Sequence, residues 1–535
     1  MTSYQGQDQG PDQGPDQGGG RDPGGEQPRD PVWDPLWGHG QRHDLGEGTG
    51  RGESRGRGQG SHSGSQPVRQ PVPPPLPHIP QQHAPHEMPQ GRPQEIPQHV
   101  PPPYPPPATG ASPFPQPAAR IEARRQPAGE LPGAPIRLDS AAFYGDPATL
   151  YRTLRHLHGS VAPVLLDGEI PVWLVLGYRE VHYVTANPGI FGRDSRRWHA
   201  WNRVPKNWPP LPYVAYRPSV VFAEGEEHRR RAGAVAEVLA GVDQFELRLA
   251  AERAADAAVD RFGGTGRAEL VSQYAGQVPL RVMAGLLGLH DHETAEAAEL
   301  ERDMTLSLDD GPDAATAYAR IHRTMELLLE RGRRRPGPEL PSRLLAHPAG
   351  LTDEEIVQDL ITVVLAGQQP TAQWIGNTLR LMLTDNRFAV TLSGGRRSVG
   401  QALTEVLWTD TPVQNVVGRW ATRDTRLGGR LIRRGDCLLL GLAAANTDPA
   451  MCPVPGATAS AAHGNQAHLS FGHGEHRCPA PAPEIAEIMA KAAVEVLLDR
   501  LPDLRLAAAA GGHLGWRPSL WLRGPAALPV EFTPH

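Results

Sequence analysis

The stretch Leu469-Ser-Phe-Gly-His-Gly-Glu-His-Arg-Cys478 carries the strongest chemical signal in the sequence. A cysteine thiolate is both a nucleophile and a soft metal ligand. Two glycines, Gly472 and Gly474, precede Cys478 and let a loop backbone approach a flat ligand closely. The following residues have helical spacing, and Pro483 with Glu484 suits a first turn. A helix starting just past the cysteine directs backbone N–H groups and the positive dipole end at the sulfur. That arrangement predicts a lowered thiol pKa and a metal-bound thiolate. Cys437 and Cys452 sit in no such setting and read as plain structural cysteines.

A loop of this kind needs a frame. The segment Pro-Val-Trp-Leu-Val-Leu-Gly-Tyr reads as a strand, and Tyr178 to Pro188 as a short helix stopped by its proline. Helical spacing recurs over Phe245 to Phe262, Leu280 to Leu289 and Ala314 to Arg331. A long apolar-periodic helix runs from Leu351 to Leu383, opened by the capping-box pattern Thr352-x-x-Glu355. Short strands are predicted in TRLGGRLIRRGDCLLLGLAAAN, and a strand end at Leu469 to Phe471. The fold class is therefore mainly α with small β-sheets.

Composition breaks near residue 135. Before it, Gly, Pro, Gln and Asp dominate, with a GPDQGPDQ repeat and proline tracts. Such a segment buries too little apolar surface to offset its ordering entropy. Residues 1–135 are read as a disordered arm with polyproline II stretches, and residues 136–535 as one globular domain. The arm serves as a solubilising tail or docks on an aromatic groove of a protein partner, with Trp33 and Trp37 as its apolar anchors. The formal net charge of −6 gives no basic surface for nucleic acid. Three cysteines form no disulfide framework, which points to a reducing cytoplasm. The polar N-terminus has no signal-peptide core, and no stretch approaches the ~20 apolar residues of a membrane span.

The pattern Phe471-Gly472-x-Gly474-x-x-x-Cys478, with a helix behind it, resembles the cysteine-ligand loop of the cytochromes P450. The likeness extends over about residues 136 to 535. It implies the cytochrome P450 fold and a haem b whose iron takes the Cys478 thiolate, with Phe471, Gly472 and Gly474 beside it. By the same resemblance His228, Arg419 and His476 fall on positions that meet the haem propionates. Two carboxylates in a protein interior demand such cations and hydrogen bonds. A further arginine expected after His228 is Ala232 here, so Arg230 or Arg231 would replace it. The stretch from Arg193 to Pro218 would roof the pocket, with Trp198, Trp201 and Trp208 either lining it or packing beneath it.

Three departures from the family pattern stand out. Where a Glu-x-x-Arg pair is usual, the sequence has Glu405-Val-Leu-Trp408. The segment before the cysteine loop contributes no arginine, only His463 and His468. Losing both arginines together is coherent, since one left alone would be a buried cation at a cost of about a few kcal/mol. Trp408 or His463 is expected to donate to Glu405. This motif marks a likeness to an atypical actinobacterial branch. The long helix carries Gln369-Pro370-Thr371 where an acid and an alcohol usually deliver protons. An amide cannot relay a proton as a carboxyl can. Pro370 is expected to open the helix, and Thr371 to take part of the alcohol's role.

The resemblance implies a monooxygenase inserting one oxygen atom into a small, apolar, bulky organic substrate. The oxidant is dioxygen with electrons from a ferredoxin or similar donor, or it is peroxide. The alternative is a haem-binding sensor or interaction protein with little turnover.

Overall fold

The computed structural model describes residues 136–535 apart from 207, 209, 290–294, 308–313, 386–397, 452–465 and 509–513. The reading of residues 1–135, Cys452 and His463 therefore lies outside the described residues. The fold is mainly helical with small sheets, as its patterning requires.

The long helix, Asp353–Thr384, crosses the helical core. Its N-terminus is fixed by a complete capping box. The Thr352 hydroxyl accepts from Glu355 N, and the Glu355 carboxylate accepts from Thr352 N at 2.8 Å. Two such bonds satisfy donors that a helix start leaves open. The helix packs against Gln277–Leu286, Ala314–Arg334 and Ala482–Arg500. Ala-rich faces let Gln244–Asp260 lie closely on Ala482–Arg500 through Ala251, Ala255, Ala490 and Ala493. Pro370 does not open the long helix. Helical backbone continues through it, because φ is already suited to a helix and packing on several sides holds the chain in place.

A five-stranded sheet stands beside these helices in the order Val161–Leu166, Ile170–Val175, Cys437–Gly441, Asn415–Ala421, Phe191–Gly192. Ile170–Val175 and Cys437–Gly441 run parallel, and the remaining neighbours antiparallel. The register slips between Val417 and Arg419, where Gly418 has a φ of +106°. That bulge turns the Val417 and Gly418 carbonyls toward Arg193. Leu442–Asn446, read as strand from its sequence, is a short helix, and Leu469–Phe471 is loop. Leu442–Asn446 follows the C-terminal end of the central strand Cys437–Gly441. Among the described residues no helix is long and apolar enough to cross a membrane.

Candidate functional site

A cavity of about 620 Å³ lies between the long helix and the cysteine loop. Its walls are mostly apolar, and Cys478 opens into it. The loop is held by its own bonds and by contacts with three helices. Cys478 N donates to Phe471 O at 2.9 Å, and Gly472 N to Leu469 O at 2.8 Å. The Ser470 hydroxyl donates to Leu407 O at 2.8 Å, tying the loop to the Val399–Thr409 helix. The Phe471 ring meets Trp374 of the long helix edge to face at 5.9 Å. The His473 ring stacks on His182 at 3.8 Å, and its Nδ1 lies 3.0 Å from the Thr185 hydroxyl.

The glycines have separate roles. Both take left-handed backbone, with φ of +74° at Gly472 and +75° at Gly474. Gly472 lines the cavity. Gly474 is not among the lining residues. A Cβ there would meet the Thr185 carbonyl oxygen at 2.2 Å, so its close approach is to the Tyr178–Ala186 helix rather than to a ligand.

The thiol departs from expectation. The helix behind Cys478 begins only at Ala482, so its dipole acts from a distance. Burial pushes the Cys478 thiol up to about 11, and its own backbone N–H only partly offsets this. A metal that binds at this position displaces the thiol proton. Among the described residues no group of three His, Cys, Asp or Glu side chains could hold a bare metal ion. A metal at Cys478 must bring most of its ligands with it.

At one side of the cavity stand four basic side chains: Arg193, Arg419, His228 and His476. Arg193 was not singled out by its sequence context. Its role depends on the distant Gly418 bulge. Its Nε donates to Val221 O at 2.7 Å, and Nη1 to Val417 O at 3.2 Å and Gly418 O at 2.8 Å. Burial and the neighbouring Arg419 hold the Arg193 guanidinium well below its usual range. Burial also lowers Arg419 to about 10, against the pull of Glu224 and Glu475. The His228 and His476 rings stack at 3.8 Å. Burial and the nearby cations push His476 strongly down. Burial also lowers His228, whose Nδ1 lies 3.3 Å from the Glu475 carboxylate but out of hydrogen-bonding geometry.

Neither Arg230 nor Arg231 joins this group. Arg231 is fully buried in an ion cluster, 2.6 Å from Asp359 and 3.2 Å from Glu227. Arg230 pairs with Glu355. Both point away because the carboxylates on the long helix draw them there. The excess of buried positive charge fits a flat group that carries two carboxylates.

On the opposite wall Ala366, Gly367, Pro370 and Thr371 line the cavity. Successive helical residues turn by about 100°. Gln369 therefore points elsewhere, into a second cavity that Pro370 also lines. Trp408 meets the His468 ring edge to face at 5.9 Å, and His468 in turn meets Phe471 at 5.9 Å. Rings thus run from Trp408 to Trp374 behind the loop. The expectation for Glu405 turns partly on His463, outside the described residues. The three roof tryptophans line neither cavity. Trp198 packs against Trp201 at 5.3 Å and Trp208 at 6.0 Å, and the Trp201 and Trp208 indoles donate to Ser195 O and Asp167 O.

The chain is similar to cytochrome P450 monooxygenase PikC of Streptomyces venezuelae, at 29% identity over 421 residues, 76% of this chain and 97% of that protein. It is 30% identical over 368 residues to mycinamicin IV hydroxylase/epoxidase of Micromonospora griseorubida, covering 67% of this chain and 89% of that one. Among solved structures, CYP154C4 from Streptomyces sp. W2061 matches with a TM-score of 0.66 and 26% identity, over 74% of this chain and 98% of that chain. No protein-family model matches the sequence.

Proposed function

The chain belongs to the cytochrome P450 superfamily, and on that premise we propose that Cys478 is the protein ligand of its haem iron. It is a haem b monooxygenase. When bound, the haem supplies the redox chemistry that inserts one oxygen atom into the substrate.

The observation that carries the residue assignment is the pairing of a cavity-facing thiol with two buried guanidinium groups. Among the described residues neither Arg193 nor Arg419 has a carboxylate within salt-bridge distance. Arg193, Arg419, His228 and His476 would hold the propionates. Phe471 and Gly472 would back the ring. Val235, Leu239, Met283 and Val363 also line the cavity and would exclude water from it. Thr371, buried and lining the cavity, is the residue we assign to orient water there. Reduced protein with carbon monoxide is expected to show a thiolate-type Soret band, and Cys478→Ser to lose it. The same band in the variant would sink the assignment.

The electron donor proposed is a ferredoxin or similar protein. One observation favours peroxide as a second reading. Among the described residues the only carboxylate lining the cavity is Glu475, on the loop side. Oxygen insertion with dioxygen consumes two electrons and two protons and releases water. With hydrogen peroxide the same insertion releases water and takes up neither. A wall without an acid suits the second balance. On the peroxide reading, product formed with hydrogen peroxide exceeds product formed with ferredoxin, reductase and NADPH at equal haem. The reverse ranking restores the dioxygen reading. We further propose a cytoplasmic location, 136–535 as the haem domain, and the 1–135 arm as a solubilising tail or a docking segment for a protein partner.

A further inference from the structure

A second cavity, of about 250 Å³, adjoins the first. Val221, Thr362, Ala366 and Pro370 line both. Its polar lining is Tyr213, Arg217, Ser219, Tyr318, Gln358, Thr362, Gln369 and Ser519, with no Asp or Glu among the described lining residues. The Arg217 guanidinium lies 4.3 Å from the centroid of the Tyr318 ring and donates to the Pro212 carbonyl. No described carboxylate forms an ion pair with it. Glu354 accepts from the Gln358 amide at 3.0 Å and lies 3.4 Å from His322.

Tyr318 and Gln358 spend their donors on Gln358 and Glu354, but Gln369 and Ser519 have donors left. Gln369 is 5% exposed, lines the cavity and makes no hydrogen bond with a described group. The Ser519 hydroxyl oxygen accepts from Trp521 N at 3.2 Å and Leu522 N at 3.1 Å, which leaves its hydrogen to donate. A cation, an amide and a hydroxyl therefore converge on a space that no anion neutralises. A buried unpaired amide costs free energy unless something binds it. Arg is suited to a carboxylate by its planar fork of donors.

We infer that the substrate is an organic carboxylate. Its acid group is held in the second cavity by Arg217, with Gln369 and Ser519 completing the donor set. Its apolar body passes between Val221 and Ala366 toward the larger cavity. This rests on the monooxygenase reading of the larger cavity. Neutral or cationic molecules of the same shape lose the Arg217 contact.

The test titrates the holoenzyme at pH 7.5 with dodecanoate, 2-naphthoate and the methyl ester of each. Binding is read by the Soret shift and independently by calorimetry. At least one acid should bind about tenfold or more tightly than its ester, the scale of one charge-assisted contact. Arg217→Met should abolish that preference while leaving ester affinity unchanged, and Arg217→Lys should restore part of it. Equal affinity for acids and esters, no binding by either acid, or an unchanged preference in Arg217→Met overturns the inference. The carbon monoxide spectrum separates the two readings. A normal thiolate band without acid preference strikes this inference alone. A missing band strikes the haem assignment, while acid preference by calorimetry would still support Arg217 as the carboxylate site.

Discussion

Arg193 and Arg419 stand side by side at the cavity, yet their bonds differ, and the difference separates holding the fold from holding the ligand. Arg193 donates to three carbonyls from two distant segments. Arg193→Leu should lower stability by about 2–4 kcal/mol through those orphaned carbonyls, and lower haem retention as well. Among the described residues Arg419 donates only to the adjacent Gly418 carbonyl, at 3.1 Å. Its buried charge is a cost to the ligand-free chain. Arg419→Leu should leave the unfolding free energy of the haem-free protein unchanged or raised, while haem affinity falls about tenfold or more. Haem-to-protein ratios and denaturant unfolding of both forms check the pair. Stability falling equally in both variants would refute the distinction. His468 gives a pH signature at the same scale. Burial lowers it from 6.5 to about 4, so the folded chain keeps it neutral. Its stabilising contribution is complete above pH 6.5 and is lost as pH falls from 6.5 through about 4. The loss approaches about 3 kcal/mol, at 1.36 kcal/mol per pKa unit. His468→Phe keeps ring contacts with Trp408 and Phe471 and should flatten the acid limb over that window. An unchanged pH profile of unfolding would show that His468 is not its source.

Among the elements, the long helix most clearly combines a regular frame with a local exception. Its start was legible, because Thr352 and Glu355 form a capping box from local bonds alone. Its response to Pro370 was not, because the packing that keeps it helical comes from other segments. The same division runs through the site. Cys478 and its glycines were readable from one loop. The work of Arg193 needs a bulge more than 200 residues away, and Arg231 was claimed by Asp359 on another helix. Such pairings are long-range and leave no spacing in the sequence. Pro370 still leaves the Ala366 carbonyl without its helical donor. Pro370→Ala should restore that bond and raise the unfolding free energy by about 1–2 kcal/mol, net of the entropy that proline removes from the unfolded chain. Thermal unfolding checks it. A loss of stability would mean that the ring's packing between the two cavities outweighs the missing bond.

Over the whole molecule, the larger cavity draws its walls from both the helical core, through Val235, Leu239 and Met489, and the sheet side, through Val181, Leu440 and Leu469. A bound group there stabilises both at once by mass action. The frame that carries these walls has one edge of interest. Val161–Leu166 is the outer strand of the five-stranded sheet, and an uncovered edge strand invites pairing with other chains. Residues 136–138, ahead of the first two helices, cover that edge. Leu138 N donates to Leu165 O at 2.9 Å, and Leu165 N to Ile136 O at 3.0 Å. Leu138 is fully buried and packs in the sheet-side core. The boundary of the folding unit should therefore fall at Ile136 and tolerate no later cut. A chain of residues 136–535 is expected to match the full chain in carbon monoxide spectrum and in denaturant midpoint. A chain of residues 141–535 loses the Leu138 side chain and both edge bonds. It should be less stable by about 3–5 kcal/mol and associate through the bared strand. Size-exclusion chromatography and unfolding of the two truncations decide the matter. Failure of 136–535 to bind haem would place part of the haem domain's stability in the first 135 residues.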